Sequence, residues 1–169
     1  MFTIRHGMLE DCPAVQQLIH ELTVYQDMDV DRVPRVSQLQ EDGFSDQLHK
    51  RLFRLIVAQV ADNKLIGFVL YYPKYATCSG RTVWMDALYV QPDYRSAGVG
   101  RALMAAMARD AIQLSCIRME WDCLMANKSA IDYYKRMGAT DATSSDQFVI
   151  MRLNCQLMKQ LATKESGSQ

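Results

Sequence analysis

Chemistry in this sequence has to come from a few positions. Arg95-Ser96-Ala97-Gly98-Val99-Gly100 follows an apolar run and leads into an alanine- and methionine-rich segment. This turn carries no side-chain nucleophile. It offers backbone N–H groups, freed by glycine, at the positive end of a helix, an anion cradle whose usual guests are phosphates. Gly98 permits close approach of a ligand, and Gly100 permits close packing of helix on strand. A tight strand-to-helix turn without a ligand is the plainer alternative. Leu103 stands where a third glycine of G-x-G-x-x-G would be, and the Gly-Lys-Ser/Thr end of a P-loop is missing. Asp86 interrupts the apolar run 83–90 and Asp122 interrupts Trp121-Asp122-Cys123-Leu124. A carboxylate inside an apolar strand costs free energy unless paired or wet, so both mark a site. For Asp122 a solvated position beside a loop is the alternative. Tyr134 is either, with Tyr133, one of its helix's packing aromatics or, at an ordinary phenol pKa near 10, a proton donor.

The elements that must position these residues follow from periodicity. Phe2 to Arg5 alternates as a first strand. Asp11 and Pro13 open a helix whose apolar face is Val15, Leu18, Ile19, Leu22 and Tyr25. Ser37-Gln38-Leu39-Gln40 reads as a capping box opening a second helix that Gly43 ends. Strands are expected over 53–60 and 65–72, joined as a hairpin by Ala61-Asp62-Asn63-Lys64, with Pro73 ending the second. A further strand spans 82–91, a helix 98–113, a strand 117–124, a helix 127–137 stopped at Gly138, a last strand 147–153, and a helical turn or two over 156–161. Asn127 suits the N-cap of its helix. The order β-α-α-β-β-β-α-β-α-β indicates an α+β fold on a mixed sheet. We expect one domain over 1–165 and a disordered tail over 166–169.

The 169 residues carry 19 basic and 19 acidic side chains, with 49% hydrophobic and 22% charged residues. A neutral, ordinary globular composition predicts neither nucleic acid nor a membrane surface as partner. Five cysteines without C-x-x-C spacing, and three scattered histidines, predict reduced thiols, a cytoplasmic setting and no metal site.

The turn Arg95-x-x-Gly98-x-Gly100, followed by Asn127-Lys128-Ser129-Ala130 and its late Tyr134 before Gly138, resembles the GCN5-related N-acetyltransferases. The resemblance covers most of the chain. It implies a mostly antiparallel mixed sheet flanked by helices, whose two central strands splay apart to admit acetyl-CoA. It implies coenzyme contacts from Leu88, Tyr89 and Val90 along the open strand edge, from Arg95, Ser96, Ala97, Gly98, Val99, Gly100 and Arg101 in the cradle, and from Asn127, Ser129, Ala130 and Tyr134. Tyr134 would protonate the departing thiolate. Asp86, and Asp122 facing the same gap, suit a cationic amine and could pass its proton through water.

Glu21-Leu22-x-x-Tyr25, Glu41-Asp42-Gly43-Phe44, Asp93-Tyr94-Arg95 and the run 134–139 resemble, within that family, the diamine and polyamine acetyltransferases, including the thialysine enzymes. This implies direct acetyl transfer to a primary amine in a ternary complex, in a homodimer, with substrate contacts from Tyr25, Gln26, Asp86, Asp122 and Asp146. Two acids usual in that group are replaced by Ala87 and Gln26, which predicts a preference for a smaller amine over spermine. A protein lysine or N-terminal acetyltransferase and a non-catalytic acyl-CoA-binding module are the competing readings. Retention of Tyr134 and Asp86 argues against the module, since a binder needs only the cradle.

Overall fold

The computed structural model describes residues 1–147 and 150–164. It falls into two compact units, Met1–Leu124 and Met125–Gln169. The first unit holds a five-stranded sheet in the order β1 (Thr3–His6), β2 (Arg54–Gln59), β3 (Leu65–Ala76), β4 (Gly80–Val90), β5 (Arg118–Trp121). Neighbours from β1 to β4 are antiparallel, and β5 lies parallel to β4. A parallel neighbour needs a crossover, and helix α3 (Val99–Gln113) provides it. Helices α1 (Cys12–Tyr25) and α2 (Val36–Phe44) precede β2.

Burial follows the strand alternation. Leu55 and Val57 of β2 pack with Leu65, Phe68 and Tyr89 beneath Val15 and Leu18 of α1. Ile56, Val69 and Tyr71 point the other way, toward α3, which buries Val99, Leu103, Met104 and Met107. β2 and β3 are thus covered on both faces, which is why they are apolar at both parities. Each such side chain contributes about 1.5–3 kcal/mol of burial.

Several boundaries differ from the sequence reading. β3 does not stop at Pro73 but continues to Ala76. Ile66 turns its carbonyl to β4, accepting from the Gln91 N–H, so alternation turns the Pro73 nitrogen away from β4. β2 has already ended on that side, its last partner being Tyr71, and an edge tolerates the missing N–H. The second helix begins at Val36, with the Gln38 side chain accepting the Arg35 N–H, so the box is not at Ser37. Gly43 lies inside that helix rather than ending it, and glycine is required there because a Cβ would meet the Phe53 ring at 2.5 Å. β5 ends at Trp121 rather than residue 124. Asp11 does not cap α1; both its oxygens accept from Arg5, at 2.7 and 2.8 Å.

The second unit contains α4 (Lys128–Arg136), α5 (Ala142–Asp146) and α6 (Cys155–Lys164). Asn127 caps α4 as expected, its side chain accepting the Ala130 N–H at 3.2 Å, and Gly138 follows at φ +94°. The strand expected over 147–153 includes 148–149, outside the described residues; 147 and 150–153 are not in a strand. The tail expected at 166–169 also lies outside them.

Candidate active site

Along β4 the pairing with β3 skips one residue: Leu70 opposes Ala87, and Tyr71 opposes Met85. Asp86 is therefore the extra residue of a β-bulge. A bulge reverses strand parity, and the hydrogen bonds show the reversal. Before it, the Arg81 carbonyl faces β5 and accepts from the Ile117 N–H. After it, the Gln91 N–H faces β3, so alternation turns the amides of Leu88 and Val90 away from β3. β5 pairs only with Thr82 to Met85, so these amides front an open edge. This is the expected splay. The Tyr89 main chain faces β3 instead, its carbonyl lying 2.7 Å from where a Cβ on Gly67 would stand. Its side chain is buried in the α1 core and its hydroxyl donates to Glu21 at 3.2 Å.

At the end of this edge the chain makes the cradle. Ser96 and Gly98 both adopt left-handed backbone, at φ +62° and +84°. Gly98 is the N-cap of α3, and a Cβ on it would meet nothing within 4 Å. The first intrahelical bond runs from the Ala102 N–H to the Gly98 carbonyl, leaving the N–H groups of Val99, Gly100 and Arg101 without a helical acceptor. Among the described residues no side-chain bond caps this end of the helix. Ser96, Ala97, Gly98 and Arg101 are exposed, and Val99 is buried as the anchor of α3. An open turn with donors that lack a helical acceptor, at the positive end of a 15-residue helix, fits a phosphate.

Arg95 is held in place. Its Nε donates to the Val90 carbonyl at 2.9 Å, and its guanidinium lies 4.7 Å from the Tyr25 ring centre and 5.7 Å from that of Tyr89. The Val90 carbonyl, on the open edge, thus already carries one donor. The structure brings Tyr25 to the cradle end of β4, while Asp86 lies at the other end of the edge.

At that other end, burial pushes the Asp86 carboxyl above its ordinary range, and the charge of Asp122 adds to the effect. Asp86 still reaches solvent, so protein crowding around it rather than full enclosure raises it. Tyr72 of β3 is raised for the same reasons, burial first and then Asp86 and Asp122. Among the described residues neither acid is ion-paired. Glu120 differs, since Lys74 and Arg118 neutralise it at 2.9 and 2.8 Å. Ala87 packs against the α1 core.

In the second unit Tyr134 stands on α4 with its ring 5.4 Å from that of Tyr133, edge to face. Ser129 is exposed in the first turn, and Asp146 ends α5 accepting the Ser145 hydroxyl at 2.7 Å. Sequence reasoning missed Tyr72, the bulge, and Glu21, whose carboxylate also accepts from Gln91 at 3.1 and 3.2 Å. Glu21 had a signal: it is an acid three residues after Leu18, on the apolar stripe of α1.

A glycine turn, an uncapped helix and an open strand edge meet here, and residues 18–139 match the acetyltransferase (GNAT) family. The chain belongs to the GNAT family. Its chemistry is N-acetyl transfer from acetyl-CoA. A thialysine N-epsilon-acetyltransferase of Sus scrofa is 31% identical over 95% of this chain and 97% of its own length. A spermidine/spermine N(1)-acetyltransferase-like protein of Homo sapiens is 29% identical over 97% of this chain and 24% of that protein. A solved aminoglycoside N-acetyltransferase in complex with CoA superposes with TM-score 0.72 at 19% identity, covering 92% of this chain and 96% of that one, and shares the fold. The mixed open sheet flanked by helices is this GNAT fold. Among the described residues no helix is long and apolar enough to cross a membrane.

Proposed function

We propose that this GNAT chain acetylates a primary amine of a small diamine or of an amine-bearing amino acid, by direct transfer within a ternary complex. The observation that carries the acceptor class is the pair of unneutralised carboxylates, Asp86 and Asp122, close enough for one to raise the pKa of the other. Such a pair favours a cation and is relieved by one. The relatives named for thialysine and for spermidine or spermine support the same class.

In this reading the outward amides of Leu88 and Val90 hold the pantetheine arm. The cradle from Ser96 to Arg101, with Arg95 beside it, holds the phosphates. The α4 entry at Asn127, Ser129 and Ala130 adds contacts to the coenzyme. Asp86 takes a proton from the ammonium, directly or through water, and its raised pKa makes it a better base than an ordinary aspartate. The freed lone pair attacks the thioester carbon, the C–S bond breaks, and the acetylated nitrogen sheds its extra proton to solvent, from which the tyrosine that protonates the thiolate is restored. The Tyr134 hydroxyl gives its proton to the departing thiolate; the motif Asn127…Tyr134…Gly138 supports that role. Asp122 and Asp146 hold the far end of the amine. The enzyme works as a homodimer in the cytoplasm.

The test is turnover with acetyl-CoA across a panel of diamines, thialysine-like amino acids, spermine and peptides. We expect higher kcat/KM for a short diamine or amino acid than for spermine. Turnover of peptides alone would make this a protein acetyltransferase. CoA binding without turnover of any acceptor would make it a binding module.

A further inference from the structure

We infer that Tyr25 is a positioning residue of the coenzyme site, acting through Arg95, rather than a contact for the amine. This rests on reading the cradle as the phosphate site. Arg95 is the one cationic side chain in the turn before Gly98, and among the described residues it has no ion-pair partner. A flexible arginine would sample many rotamers and meet a phosphate only at the cost of its own ordering. Here that ordering has been done in advance. Nε is spent on the Val90 carbonyl, at 2.9 Å. The rings of Tyr25 and Tyr89 approach the guanidinium at 4.7 and 5.7 Å, so their faces attract the charge without neutralising it. Tyr89 is in turn fixed by its hydroxyl on Glu21, which also receives Gln91 from the strand end. The last turn of α1 and the end of β4 therefore form one frame around a guanidinium that stands next to the turn in sequence and has no ion-pair partner among the described residues.

Tyr25 is 52% exposed, so the chain does not need it for its core. A half-exposed tyrosine against an unpaired arginine is explained by what the arginine must bind. Loss of one such ring at a surface site corresponds to about a two- to fivefold change in affinity.

The experiment is calorimetric titration of Tyr25→Ala, Tyr25→Phe, Arg95→Ala and the Tyr25→Ala/Arg95→Ala pair with CoA, beside amine KM at saturating acetyl-CoA. We expect Tyr25→Ala to weaken CoA by about two- to fivefold and leave amine KM within twofold, with Tyr25→Phe restoring affinity because the ring is kept. In the Arg95→Ala background Tyr25→Ala should cost nothing further, since its effect runs through Arg95. Repeating the series with 3′-dephospho-CoA separates the phosphates: a persistent Arg95 effect assigns the diphosphate, and its loss assigns the 3′-phosphate. A raised amine KM with unchanged CoA affinity in Tyr25→Ala, or additive effects in the pair, would overturn the inference. Gly98→Asp is the control for the cradle: if it too leaves CoA binding intact, the phosphate site itself is misplaced.

Discussion

The cradle makes its sharpest prediction at Gly98. Its backbone sits at φ +84°, ψ −1°, and a Cβ there would touch nothing within 4 Å. A side chain at this position thus meets a backbone penalty but no steric clash. A left-handed non-glycine residue costs about 1–2 kcal/mol, which for a chain of this length lowers Tm by about 2–8 °C. Gly98→Ala and Gly98→Asp share that cost and both should fold. They differ in what they place before the N–H groups of Val99, Gly100 and Arg101. The aspartate carboxylate competes for those donors and repels a phosphate; at 4 Å one charge pair amounts to about 1–4 kcal/mol between full and partial screening. CoA should therefore bind about fivefold to a thousandfold more weakly to Gly98→Asp, with a much smaller loss for Gly98→Ala. Isothermal titration at low and high salt measures it, and the deficit of the aspartate variant should shrink as salt screens the repulsion. A folded Gly98→Asp protein binding CoA within about threefold of the parent would refute the phosphate assignment.

Other predictions follow from the same geometry. Tyr134→Phe should lower kcat by about 10²–10⁴-fold with little change in KM for acetyl-CoA, since the hydroxyl acts only as the thiolate departs; steady-state kinetics within twofold of the parent would make Tyr134 a packing residue. Asp86 has a folded pKa above its unfolded one, so its ionisation opposes folding: the stability it contributes is present below the ordinary carboxylate range and is lost as pH rises through the raised value. Asp86→Asn should therefore raise Tm at neutral pH, the gain fading toward pH 4, while turnover falls; thermal melts across pH decide it. Tyr71 donates a short hydrogen bond to Asp110, which is 7% exposed, and burial beside that carboxylate pushes the phenol pKa strongly up. Tyr71→Phe leaves the buried acid short of a donor and should cost about 1–3 kcal/mol, lowering Tm by about 2–12 °C with CoA affinity unchanged.

Most of the elements, and the left-handed glycine turn before α3, are legible in the sequence. Both are written locally: glycine at a left-handed position, helix-spaced apolar residues in 12–25, and the Asn127 cap need no distant partner. The sequence marked Asp86 as anomalous but not why, because a bulge is a mismatch between two strands and appears only once β3 is laid against β4. That one extra residue decides which amides face the open edge, turning out Leu88 and Val90 rather than Tyr89. The same limit explains Pro73, which continues β3 because β2 has already ended beside it. Ala87, read from the sequence as a vacant acid position, is half-buried against the α1 core, a placement that spacing alone does not give. The contact between Tyr25 and Arg95, seventy residues apart in the chain, is likewise invisible until α1 is docked beside the end of β4. Spacing along a sequence reports which residue types are present within one element. Which face of a neighbouring element they meet depends on strand register and helix docking, and those are settled by burial summed over the whole core.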